Sequence, residues 1–102
     1  MTIKTGHTVY EMVVSLNSGN NPLSTATFTD TFFINGTSTT AVTLSISLSD
    51  ASRGIFSASF SAATVGFHQF ELKNDLTNVV YISDAYDVRP DNEIDTTIYV
   101  GL

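Results

Sequence analysis

Carboxylates near the C-terminal end are the densest group of side chains in this 102-residue sequence that could do chemistry. Several oxygen ligands at close spacing suit calcium, a hard cation. The run that begins at Asp91 opens like a calcium-binding loop, but Thr96 stands where such a loop needs Gly, and Leu102 where it needs a bidentate Glu. We therefore interpret the segment as a solvated acidic loop and predict no metal and no cofactor, with calcium as the alternative. The charged residues concerned are Asp84, Asp87, Arg89, Asp91, Glu93 and Asp95.

The two histidines, His7 and His68, are the other groups with catalytic potential. Each could be drawn into a triad with a Ser and an Asp, but in a chain so rich in Ser and Thr such pairings arise by chance. No serine lies in the Gly-x-Ser-x-Gly pattern of many hydrolases. We predict no catalytic residue and no enzymatic activity, with His68 in a strand near the core and His7 exposed. The glycines are isolated and no Lys follows them, so no phosphate-binding loop is expected: Gly19, Gly36, Gly54 and Gly66.

Charge and composition argue against several further classes of function. Four cationic residues stand against ten acids, and the formal net charge of −6 would be repelled by a phosphate backbone or an anionic membrane. The chain has no cysteine, which excludes disulfides, thiolate metal sites and thiol nucleophiles. No apolar run approaches the roughly 18 residues of a membrane span, and the first residues lack the apolar region of a secretory signal. Neither nucleic acid nor a membrane is expected as a partner.

Alternation of apolar and polar residues dominates the sequence and predicts β-strands. Residues 42–48 alternate Val, Leu, Ile and Leu with Thr and Ser, as expected of a strand with one oily and one hydroxyl face. Asn35-Gly36 follows the alternating segment that contains Phe28, Phe32 and Ile34, and this dipeptide is the strongest short hairpin signal. The pattern predicts an all-β fold, a single immunoglobulin-like β-sandwich domain of about seven antiparallel strands over residues 1–102. The other predicted core faces are Tyr10, Met12, Val14 and Leu16; Phe28, Phe32 and Ile34; Phe56, Ala58 and Phe60; Phe70 and Leu72; Val80, Ile82, Tyr86 and Val88; and Ile94, Ile98 and Val100.

Five large side chains fall opposite these predicted core positions. Contiguous exposed apolar area marks binding surfaces, so they form a candidate interface. A central strand covered on both faces, or a bulge that changes the register, would equally place them in the core. Rows of Ser and Thr fill other outer positions, and the lysines that usually protect sheet edges are missing, so we expect a partner to cover an edge. The candidate interface residues are Phe33, Ile55, Phe67, Tyr81 and Tyr99.

The segments 50–60 and 66–72 resemble immunoglobulin-like modules. In such modules a turn with Asp and Gly leads into a strand with an aromatic, and a later Gly opens the next strand. Antibody-type domains carry a corner Tyr two residues before a Cys in that second strand. The resemblance implies His68 at the Tyr position and Phe70 at the Cys position. Because the chain has no Cys and no Trp, it is more similar to the broad bacterial and phage immunoglobulin-like group than to antibody domains.

Residues 79–91 and 98–102 resemble small virion proteins of tailed bacteriophages, in which compact acidic β-sandwiches serve as head decoration, head-fibre or tail accessory subunits. The resemblance implies a structural protein of the virion, assembled in the host cytoplasm. Its expected partner is a viral capsid or tail protein, bound through sheet edges and an aromatic patch, with a homo-oligomer as a further expectation. The alternative is a carbohydrate-binding or host-adhesion module in which Tyr81, Tyr86 and Tyr99 stack on sugar rings. A repeat of a bacterial surface protein and then a small hydrolase rank below these two.

Overall fold

A computed structural model describes residues 2–90, and in this range the chain forms nine strands and no helix. The all-β prediction is confirmed. The predicted strand number and orientation need correction, because there are nine strands instead of about seven and one strand pair is parallel. The strands are β1 (Thr2–Lys4), β2 (Thr8–Val14), β3 (Phe28–Ile34), β4 (Thr37–Thr39), β5 (Ser45–Asp50), β6 (Ile55–Ser61), β7 (Gly66–Asn74), β8 (Val80–Ile82) and β9 (Tyr86–Arg89).

The strands form two sheets that pack on one another in a sandwich-like arrangement. The larger sheet has the order β1-β9-β7-β3-β4, and β8 also pairs with β7. The smaller sheet has the order β2-β6-β5, so β2 and β5 are its edges within the described residues. All of these pairs are antiparallel except β1 with β9.

Differences between the predicted and the observed strands have local causes. β1 and β4 have three residues each, too few for alternation to be recognised in a sequence. The segment predicted as one strand over 80–88 is divided into β8 and β9. At the break, the hydroxyl of Ser83 accepts the Phe70 N–H at 2.8 Å while the Ser83 N–H donates to the Phe70 carbonyl at 2.9 Å. The last predicted strand, over 94–100, lies outside the described residues.

The break between β8 and β9 also changes which side chains face the core. Tyr86 and Val88 are buried as predicted, but Val80 and Ile82 are exposed and Tyr81 points inward instead. An irregular segment between two short strands shifts the alternation by one position, so a prediction that extends one register across it inverts the first half. The predicted core positions of β8 were therefore wrong, and those of β9 are confirmed.

A tight hairpin joins β3 to β4 at the predicted Asn-Gly position. Asn35 has φ 52° and Gly36 has φ 81°, which places both central residues in the left-handed region of a type I′ turn. The Asn35 side chain also accepts the N–H of Phe67 through Oδ1 at 2.9 Å. This bond ties the hairpin to the start of β7, so the turn positions two neighbouring strands and not only its own.

Aromatic side chains from both sheets form the centre of the core. Phe32 of β3 meets Phe60 of β6 edge to face, with ring centroids 4.9 Å apart. Phe70 of β7 lies beside both rings at 6.4 and 6.1 Å. His68 is fully buried and stacks on Phe60 at 5.9 Å, whereas His7 is exposed, so both histidine predictions are confirmed.

The orientation of β2 is opposite to the prediction. Val9 and Val13 point into the core, and the predicted core residues of this strand point outward into solvent. Both faces of β2 carry apolar side chains, so alternation alone does not decide which face is buried. On β5, Leu48 is also exposed, at the end of the strand where the β5–β6 register shifts between Leu48 and Asp50. The outward residues of β2 are Tyr10, Met12, Val14 and Leu16.

Candidate functional site

Glu11 points from β2 into the space between the two sheets, where two phenols bind it. The hydroxyl of Tyr81 donates to Oε1 at 2.5 Å, and the hydroxyl of Tyr86 donates to Oε2 at 2.5 Å. Hydrogen bonds to an ionised acceptor are about twice as strong as bonds between neutral groups. Because an inward carboxylate without partners is costly, these two bonds make the observed orientation of β2 possible.

The two phenols are held in their neutral form. Burial, and after it the hydrogen bond to Glu11, raises the pKa of Tyr81 to about 12. The same two causes raise the pKa of Tyr86 further. Both side chains therefore remain hydrogen-bond donors throughout the neutral range, and neither phenol acts as an acid there. The arrangement joins the two sheets.

A second polar contact fixes the end of β2. Asn74 donates from Nδ2 to the hydroxyl of Ser15 at 2.8 Å, and both residues are buried. The Oδ1 atom of Asn74 accepts the N–H of Leu76 at 3.0 Å. Glu11 on the inner face of β2 and Ser15, which directly follows the strand, are thus each bonded to the opposite sheet.

Gly54 lets the turn before β6 lie directly against β2. The Ser15 N–H donates to the Gly54 carbonyl at 2.7 Å. At φ +66°, a Cβ added to this glycine would lie 2.4 Å from the Ser15 carbonyl oxygen, so only glycine fits. This contact sets the pairing of the next two residues, in which Ile55 faces Val14.

Three outward side chains of β2, together with Leu16 two residues beyond its end, form an apolar row, which we call the outer row: Tyr10, Met12, Val14 and Leu16. Their exposed fractions are 69%, 60%, 56% and 37%. The residues of β6 that pair with the β2 members of the row carry no charge. Tyr10 pairs with Ser59, Met12 with Ser57 and Val14 with Ile55. An exposed apolar row next to neutral neighbours is typical of a contact surface.

The outer row lies on a sheet edge, and an apolar groove continues it. In the described part of the chain no strand pairs with the outer side of β2. At the far end of the row, Leu16 lines a shallow groove together with Leu23, Leu76 and Val79. Edges of this kind bind other strands or are protected by charges, and the outer row has no charges.

The structure places the residues of the predicted interface on different faces, with Phe33 and Phe67 as the two that share one. Phe33 and Phe67 lie on the outer face of the larger sheet, where Phe33 pairs with Gln69 and Phe67 with Asp87. Ile55 lies on the outer face of the smaller sheet beside Val14. Tyr81 lies between the sheets on Glu11. Tyr99 is outside the described residues. Of these predicted interface residues, Ile55 is the one that the structure places against the outer row.

Sequence reasoning missed the outer row because it assigned those residues to the core. The other phase of the same segment gave no signal against that assignment, since Glu11 and Ser15 alternate there with two valines. That phase is less apolar, and only partners from other strands make it the favourable one to bury. Those partners, Tyr81, Tyr86 and Asn74, come from at least 59 positions later in the chain.

Two of the acids within the described range, Asp87 and Asp50, make local contacts. Asp87 accepts from Arg89 Nε at 2.8 Å. Asp50 accepts from Ser52 and from Arg53, and these two hydrogen bonds hold the pKa of Asp50 below its usual value. Within residues 2–90 no group of three or more His, Asp or Glu side chains is arranged to hold a metal ion. The rest of the predicted acidic segment, Asp91, Glu93 and Asp95, lies outside the described residues.

Comparison with known proteins gives no relative for this chain. No family model matches it, and no curated protein and no solved structure is significantly similar to it. Among residues 2–90, no helix is long and apolar enough to cross a membrane.

Proposed function

We propose that this chain is a non-catalytic binding module that attaches to another protein surface through the outer row of β2. The observation that carries the proposal is the orientation of this strand. Tyr10, Met12 and Val14 face solvent while Glu11 faces inward. Removing apolar surface from water contributes about 25 cal/mol of favourable free energy per Å². A partner that covers this exposed row would therefore be bound favourably.

We further propose that the sandwich is immunoglobulin-like. The order of the larger sheet supports this, since within residues 2–90 β1 lies parallel to β9 at one edge and the hairpin β3–β4 lies at the other. The smaller sheet of β2, β6 and β5 supports it as well, because its strands come from alternate parts of the chain, as in a Greek key. The implied Tyr and Cys positions, His68 and Phe70, are both fully buried on β7.

The specific role we propose is that of an accessory subunit of a tailed-phage virion. It draws on the resemblance of residues 79–91 and 98–102 and on the acidic charge of −6. Attachment to a repeated lattice suits a small contact surface, because many copies on one particle compensate for weak single contacts. Glycan binding has less support, since the rings of Tyr81 and Tyr86 are held between the sheets by Glu11 and are not presented for stacking.

Reassociation with virus particles tests this role. Particles of the phage whose genome encodes the chain, prepared without it, would be mixed with purified protein and sedimented. We expect wild type and Ile82→Lys to sediment with the particles and Met12→Lys to stay in solution. Ile82 is the matched control because it is 58% exposed on the other sheet, against 60% for Met12. Wild-type protein that remains in the supernatant would overturn the virion role, and retention of Met12→Lys would overturn the outer row as the contact.

A further inference from the structure

We infer that the outer row is covered by a second copy of this chain, through antiparallel pairing of β2 with β2 about a two-fold axis at Met12. The inference rests on the proposed function, in that both use the outer row as the contact. It adds the identity of one partner, a second copy that competes with the other protein surface for the same row, and the register of the pairing. The product would be a continuous six-stranded sheet made from two three-stranded sheets.

The backbone of β2 is in the correct phase for this pairing. Toward β6, the Ser15 N–H donates to Gly54 and the His7 carbonyl accepts from Ala62. Odd-numbered residues therefore direct their N–H and C=O groups toward β6. In a strand these groups alternate in direction, so the even-numbered residues direct theirs to the open edge. The residues that expose apolar side chains are thus also the ones that offer unpaired backbone groups.

The register follows from the extent of the outer row. Two copies overlap along the whole stretch from residue 8 to residue 16 when Met12 faces its own equivalent. In that register Tyr10 faces Val14 of the other copy, so a large side chain meets a smaller one. Each even-numbered residue faces another even-numbered residue, so the backbone groups at the two open edges point at one another. A symmetric contact of this kind needs a surface complementary to itself, and the row satisfies that condition.

Charge favours β2 over the other faces for contact between copies. Two chains of charge −6 repel one another, and a copy approaches most easily where no charge is present. The outer face of the larger sheet carries Glu71, Lys73 and Asp87 among its outward residues. The outer row and its neighbours on β6 carry none. Repulsion elsewhere on the chain therefore directs association to this edge.

The size of the surface sets the expected strength. The outer row has four side chains per copy, whereas interfaces that bury about 1,600 Å² in total use roughly 20–30 residues a side. Backbone pairing adds to the apolar contact, but the interface remains small. We expect a dimer with a dissociation constant on the order of 10 μM or weaker.

Single-cysteine variants test both the partner and the register, because the chain has no cysteine of its own. Residues facing each other in a hydrogen-bonded antiparallel pair have Cα atoms about 5.5 Å apart, a distance that a disulfide spans. Met12→Cys and the matched control Ile82→Cys would be incubated with oxidised glutathione at increasing protein concentration. We expect covalent dimers of Met12→Cys to form at least about tenfold faster than those of Ile82→Cys. Equal rates would overturn the register.

Sedimentation equilibrium of the unmodified chain and hydrogen exchange complete the test. We expect the average mass to rise from monomer toward dimer with concentration, in Ile82→Lys as in wild type, while Met12→Lys stays monomeric. A wild type that stays monomeric at millimolar concentration, with freely exchanging amides at Tyr10 and Met12, overturns the second copy and leaves attachment to a different protein in place. A monomer in which these amides exchange slowly means that residues of the same chain outside 2–90 cover the edge, which overturns both proposals.

Discussion

The carboxylate of Glu11 on β2 accepts a hydrogen bond from the hydroxyl of Tyr86 on β9 at 2.5 Å, and this contact joins the two sheets across the core. The two residues lie 75 positions apart in sequence. Since successive side chains of a strand point to opposite faces, turning Glu11 inward turns Tyr10 and Met12 outward. One buried polar contact therefore determines which residues of β2 are available for binding.

Removing the carboxylate should destabilise the fold strongly. Glu11→Ala leaves the hydroxyls of Tyr81 and Tyr86 between the sheets without their acceptor, and each lost bond to a charged group costs about 1.5–3 kcal/mol. We expect the free energy of unfolding in urea to fall by about 3–5 kcal/mol. The adjacent Met12→Ala, on the exposed side of the same strand, should change it by less than about 0.5 kcal/mol. A small effect at Glu11 would contradict the role assigned to this contact.

Alkaline pH should weaken the fold through the same tyrosines. Burial and the bond to Glu11 raise the pKa of Tyr81 to about 12 in the folded chain, above the ordinary value near 10 of an unfolded tyrosine. The raised pKa contributes stability that is fully present below pH 10 and is lost as the pH rises toward 12. Urea unfolding at pH 8 to 12 should show this loss. The decrease should be smaller in Tyr81→Phe, and an unchanged slope would count against the assignment.

Comparison of Gly54 with Gly36 separates the energetic cost of a steric clash from the cost of backbone strain. Both have positive φ, +66° and +81°, but an added Cβ meets the Ser15 carbonyl oxygen at 2.4 Å in the first case and nothing within 4 Å in the second. Gly36→Ala should cost about 1 kcal/mol from the backbone alone. Gly54→Ala should cost at least about 2 kcal/mol more, because β2 must move away. Thermal unfolding of the two variants measures the difference, and equal losses would mean that the close approach is unimportant.

His68 should tolerate an aromatic replacement better than a small one. Its Nδ1 atom lies 3.1 Å from the Gly66 carbonyl, while Nε2 is buried without a hydrogen-bond partner. His68→Phe loses the first contact but removes the unpaired nitrogen, so we expect a change within about 1 kcal/mol. His68→Ala should cost about 3 kcal/mol or more, since it leaves a cavity beside Phe60. Chemical denaturation distinguishes them, and a large loss in His68→Phe would show that the imidazole is needed.

Serine substitutions separate two residues that the sequence assigned to the same interface. Tyr81→Ser removes a ring packed against the core and a donor to Glu11, and should lower the melting temperature by roughly 10 °C or more. Phe67→Ser acts on an exposed ring at the start of β7 and should leave it nearly unchanged. Calorimetry provides the comparison. Similar losses would mean that Phe67 is also part of the packed interior.

Much of the architecture was determined locally and could be predicted from the sequence. Alternation identified β2, β3, β6 and β7, because each has at least seven residues. The hairpin at Asn35 was predictable because its left-handed backbone favours Asn and Gly. Burial of His68 followed from its phase with Phe70, two residues along the same strand.

The tertiary structure alone decided which face of β2 is exposed. By composition the even-numbered residues of that strand are the more hydrophobic set, and the sequence predicts that they are buried. The odd-numbered set is buried because Tyr81, Tyr86 and Asn74, from distant strands, supply hydrogen bonds to Glu11 and Ser15. Alternation shows that a strand has two different faces. Which face is buried depends on contacts that exist only after the sheets have packed.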